Sequence, residues 1–80
     1  QIESLRGFID EEDIGKVHIL THSIKGASST IGGEAMREVA ADMERSAREN
    51  DLSTVMKRFP ELVDHFLRLK EALGIFVNMG

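Results

Sequence analysis

The feature that most constrains this chain is the spacing of its apolar side chains, which recur every three or four residues along successive stretches, the pattern of amphipathic helices. Ile2, Leu5, Phe8 and Ile9 share one face of a first, short helix over about 1–9. Val17, Leu20, Ile24, Ala27 and Ile31 form the core-facing arc of a second, from about Glu11 to about Ile31. In a third, from about Glu34 to Glu49, Met36, Val39, Ala40, Met43 and Ala47 oppose Arg37, Glu38, Asp42, Arg45 and Arg48. A fourth runs from about Leu52 or Ser53 to about Leu73 on a broad face of Leu52, Val55, Met56, Phe59, Leu62, Val63, Phe66, Leu67, Leu69 and Leu73. Met36, Met43 and Met56 read as core, and His65, at the edge of the last face, as a packing residue.

Turn residues separate these stretches. Asp10 is the expected cap of the second helix, with Glu11, Glu12 and Asp13 in its first turn, where carboxylates favour the helix dipole rather than gather a metal. Gly32-Gly33 stops the second helix, Asn50-Asp51 turns the chain and Gly74 ends the fourth helix. Pro60 lacks an amide hydrogen, yet the apolar stripe keeps its phase across it, so one bent helix is expected. On the third helix Asp42 to Arg45 and Glu44 to Arg48 are favourable spacings, and Glu38 to Asp42 is a like-charge pair.

Short turns make neighbouring helices antiparallel. The expected fold is all-α, an up-down antiparallel four-helix bundle with a short or truncated first helix, forming a single domain over 1–80. At about 1.5 Å per residue the first helix spans only about 13 Å, against roughly 30 Å for the second and fourth. Apolar surface on the longer helices is then uncovered, which predicts self-association or shielding by upstream residues. A chain that opens on Gln1 reads as a piece of a longer polypeptide, and its end, Ile75-Phe76-Val77-Asn78-Met79-Gly80, is apolar enough to pack back on the bundle or to fray.

A net charge of −4 with no basic stripe argues against nucleic acid as partner. The chain has no cysteine, hence neither disulfides nor thiolate chemistry, and no apolar run near the roughly 20 residues of a membrane span. No membrane contact and a cytoplasmic location are expected.

His22 points roughly 170° from the middle of the second helix's apolar arc. It therefore faces water, together with His18, Ile19, Lys25, Gly26 and Ser29. Lys25, one turn on, places an ammonium beside the imidazole, where it compensates a dianionic group attached to the ring. Gly26 inside a helix costs about 1 kcal/mol relative to Ala. Clearance is the reason to tolerate it, since a missing side chain one turn from the ring lets another protein approach while Ile19 offers an apolar contact.

These residues resemble the histidine-containing phosphotransfer (HPt) domains of multistep phosphorelays. The family pattern H-x-x-K-G, with a further glycine six residues on, is met by His22, Lys25, Gly26 and Gly32. The stretch Gly33-Glu34-Ala35-Met36 through Met43-Glu44 and the turn at Asn50-Asp51 also match, so the likeness covers about 10–73. The short helix before the motif departs from the pattern, as does Thr21 in place of a small apolar residue.

The resemblance implies that His22 accepts a phosphoryl group from a receiver-domain aspartyl phosphate, on the distal ring nitrogen, and passes it to another receiver. Lys25 would neutralise its charge. His18, Ile19, Gly26, Ser29 and Gly32 would form the docking surface, with Ser29 within reach of the phosphoryl group. The expected partners are response-regulator receivers and a hybrid sensor histidine kinase. Such a carrier is not an enzyme and needs no cofactor of its own, because the aspartate and Mg2+ belong to the receiver. The segment Ser28-Ser29-Thr30-Ile31-Gly32 lacks the aromatic residue common before the glycine in chemotaxis-kinase phosphoacceptor domains, which favours a hybrid kinase's terminal module or a separate transmitter.

Two other readings compete. His18 and His22 have the i, i+4 spacing of a metal pair, although no third ligand can be placed and Lys25 repels a cation. Alternatively, the chain is a helical interaction or dimerisation module in which His22 is incidental.

Overall fold

The computed structural model describes residues 1–72 and Gly74. Helices α1 (Ile2–Asp10), α2 (Ile14–Thr30), α3 (Glu34–Arg48) and α4 (Leu52–Ala72) form an all-α bundle, and no strand occurs among the described residues. α2 packs on α3, α3 on α4, and the short α1 against both α2 and α4.

One device makes all three turns. Each is three residues long, and its middle residue is left-handed: Glu12 at φ 56°, Gly32 at 75° and Asn50 at 59°. The residue after it donates its amide to a carbonyl five positions back, as in Asp13 to Phe8 (2.9 Å), Gly33 to Ser28 (2.8 Å) and Asp51 to Ser46 (2.7 Å). These bonds satisfy carbonyls that a helix end would otherwise leave open, and they fold the next helix back. Gly33 is also a close-approach residue, since a Cβ there would lie 3.0 Å from Leu69 Cδ2 of α4.

Two helix starts carry side-chain caps. Asp13, not Asp10, begins α2 by accepting from the Lys16 amide, and Asp10 instead closes α1. The αL turn at Glu12 takes up the residues expected to lie in the first turn of α2. Asp51 begins α4 by accepting from the amide and hydroxyl of Thr54, and these two bonds hold its carboxyl below the ordinary value. α4 continues through Pro60. Pro60 and Met56 are both exposed, on the solvent side of the helix.

The core is aliphatic: Leu5, Ile9, Val17, Ile24, Met36, Val39, Ala40, Met43, Ala47, Val55 and Leu62. The α3 face is the one expected. The α2 face is rotated from the expected arc, because its buried residues are Val17, Thr21, Ile24 and Ser28, while Ala27 and Ile31 are exposed. Thr21 and Ser28 tolerate burial because each hydroxyl donates to a carbonyl of its own helix, Val17 at 2.8 Å and Ile24 at 2.7 Å. On α4, Met56 and Leu67 are exposed, contrary to expectation, and only Val55 and Leu62 are fully buried. α1 is too short to cover the rest. The consequence is an apolar cavity of about 130 Å³ lined by Ile24, Ala27, Ile31, Met36, Phe66 and Leu69 among others. The expectations for Leu73 and for the tail over 75–80 lie outside the described residues.

Candidate functional site

The site is built where α2 lies against α3. Glu44 projects from α3 toward the flank of α2 with only 5% of its side chain exposed. Its two oxygens are divided between two residues of α2. Oε2 lies 2.7 Å from His22 Nδ1, and Oε1 accepts from Lys25 Nζ at 2.6 Å. Burial alone would raise the Glu44 carboxyl, but the hydrogen bonds and charges of Lys25 and His22 outweigh it and hold the group below its ordinary value. Glu44 is therefore ionised at neutral pH. An ionised carboxylate only accepts, so His22 Nδ1 carries the hydrogen of this bond.

The rest of the ring is open. The His22 side chain is 67% exposed, and its Nε2 has no hydrogen-bond partner among the described residues. A Cβ on Gly26 would meet nothing within 4 Å among the described residues, so packing among them does not require the glycine. Ser29 is exposed and Ile19 is strongly so, and Ile19 lines a shallow apolar groove with Phe8, Lys16, Leu20 and Ser23. Gly32 sits at the far end of α2, where its left-handed backbone forms the turn to α3. His18 is half-buried, with Nε2 turned inward to 3.9 Å from Glu44 Oε2. Of the predicted site residues, His18, His22 and Lys25 thus converge on one carboxylate.

That carboxylate is not legible in the sequence, where Glu44 has a favourable spacing to Arg48; in the fold Glu44 points into the α2 interface instead. Its position between Met43 and the buried Ser46-Ala47 pair, at the edge of the apolar stripe, was the available signal. The Asp42 to Arg45 pair forms as expected, and Asp42 also reaches Arg58 of α4 at 3.1 Å.

The family model for the Hpt domain matches residues 1–73. The chain belongs to the Hpt family. No curated protein and no solved structure gave a significant match. Hpt domains are histidine phosphotransfer carriers of phosphorelays, and they interact with receiver domains. No helix among the described residues is long and apolar enough to cross a membrane. Among the described residues no group of three or more His, Cys, Asp or Glu side chains is arranged to hold a metal ion. The Lys25 ammonium on the shared carboxylate opposes a cation at the same place.

Proposed function

We propose that His22 is the phosphoryl acceptor of this Hpt domain and that Nε2 is the reacting atom. The observation that carries this reading is the 2.7 Å contact of Nδ1 with the buried Glu44 carboxylate. With the hydrogen held on Nδ1, the lone pair of the exposed Nε2 is directed outward. It attacks the phosphorus of a receiver's aspartyl phosphate, a P–N bond forms, and the P–O bond to the aspartyl carboxylate breaks. The phosphorylated ring keeps its Nδ1 hydrogen and becomes cationic, and Glu44 lies against that charge. Return of the group to a second receiver is the reverse of these events.

The remaining residues supply charge and access. Lys25 neutralises the phosphoryl oxygens when it turns from Glu44, and Gly26 leaves clearance for the receiver beside the ring. Ile19, His18, Ser29 and Gly32 contribute to the docking face. Mg2+ is supplied by the receiver, not by this domain. A hybrid sensor histidine kinase or a separate cytoplasmic transmitter is the setting that fits such a carrier.

The test is label transfer from a phosphorylated receiver. Wild-type protein acquires acid-labile, base-stable phosphate, His22→Gln acquires none, and Lys25→Ala acquires it more slowly, with the fold intact in both variants. Normal labelling of His22→Gln refutes the assignment.

A further inference from the structure

Three basic side chains of α2 face Glu44, and only two of them are bonded to it. The third, His18, has its Nε2 buried without a hydrogen-bond partner among the described residues, and Glu44 Oε2 stands 3.9 Å from it. A carboxylate has about four lone-pair positions, and here two are filled. The buried nitrogen and the free acceptor capacity therefore stand opposite each other, about 1 Å short of bonding distance.

This gap gains a meaning when Lys25 is asked to do two things. In the resting domain its ammonium offsets the buried charge of Glu44, whereas the carrier reading of His22, on which this inference rests, turns the same ammonium toward the phosphoryl group. Glu44 would then keep a single partner inside a site that is nearly closed to water. We propose that His18 is a positioning residue that takes over Glu44 when Lys25 leaves: a small ring movement brings its Nε2–H onto the carboxylate. His18 and His22 are one helical turn apart on the same face, so both rings address the same carboxylate. No proton is gained or lost. The carboxylate stays ionised and aimed at His22 Nδ1, so the hydrogen that directs the lone pair onto Nε2 is kept through the transfer.

The Lys25→Ala variant removes the ammonium without any phosphoryl chemistry, so the takeover can be read directly by NMR of the ¹⁵N-labelled imidazoles. In Lys25→Ala a hydrogen-bonded His18 Nε2–H signal appears that wild type lacks, and it disappears again in Lys25→Ala/Glu44→Gln. His22 retains its Nδ1–H form in Lys25→Ala and loses it in Lys25→Ala/His18→Ala, while Lys25→Ala/His18→Gln, whose amide can donate, restores it. Identical His18 ring signals in wild type and Lys25→Ala overturn the proposal, and this single-variant comparison decides even if a double variant fails to fold. A residue that only docks the receiver would lower receiver affinity on His18→Ala and leave the ring signals unmoved, which is also a refutation. Receiver-dependent labelling of wild type is measured separately. Its absence overturns the carrier reading while the His18 signals still decide the takeover.

Discussion

Replacing Glu44 by Gln keeps the side-chain shape and removes the charge that organises the site. Two short contacts are affected, at 2.6 Å from Lys25 and 2.7 Å from His22. Hydrogen bonds to charged groups contribute about 1.5–3 kcal/mol each. The Lys25 and His22 side chains are 31% and 67% exposed and can turn to water, and the amide oxygen still accepts from one of them. The desolvation cost of a buried carboxylate also vanishes. The expected net loss is therefore about 1–2 kcal/mol, or roughly 5–15 °C in Tm for a domain of this size. The effect on transfer is separate. Loss of one charge-assisted bond to the cationic ring, about 1.5–3 kcal/mol, slows labelling by about 10- to 150-fold. Urea unfolding, the ¹⁵N signature of the His22 tautomer and label transfer at saturating receiver measure the three quantities on the same samples. A variant that is less stable yet keeps wild-type transfer and the Nδ1–H tautomer would show that Glu44 is only a structural partner.

Glu44 and Asp51 both lie below their ordinary values of 4.5 and 3.8, so the unfolded chain binds more protons than the folded one in acid. The stability these two groups contribute should be fully present above those values and be lost as pH drops through and below them, with a shallower acid fall in Glu44→Gln, as acid titration followed by circular dichroism will show. Gly26→Ala should raise stability by about 1 kcal/mol, because the added methyl meets nothing among the described residues, yet slow transfer from a receiver. A variant that is stabilised and transfers normally would remove clearance as the reason for the glycine. Glu12→Gly should stabilise by about 0.5–1 kcal/mol in urea unfolding, since Glu12 holds φ 56°. The groove that Ala27, Ile31, Phe66 and Leu69 leave open should drive association at high concentration in sedimentation, abolished by Ile31→Glu. A strictly monomeric chain, unaffected by lengthening α1, would defeat that expectation.

Much of this molecule is written locally. The four helices follow from apolar spacing, and the turns between the last three from Gly32 and Asn50, because helix formation and chain reversal depend on residues within a few positions of each other. The exposed histidine with Lys25 and Gly26 beside it was legible for the same reason: all three lie within two turns of one helix. The buried side of α2 was legible only in part, at Val17 and Ile24, since Thr21 and Ser28 pass for surface residues until their hydroxyls are seen bonded to their own helix. The start of α2 was not legible, since a run of four acidic residues hid the left-handed turn at Glu12. The role of Glu44 belongs wholly to the tertiary structure. It stands 22 positions from His22 in the chain, and only the packing of α3 on α2 brings its carboxylate within 2.7 Å of the ring, away from water, where one negative charge can fix which nitrogen is free.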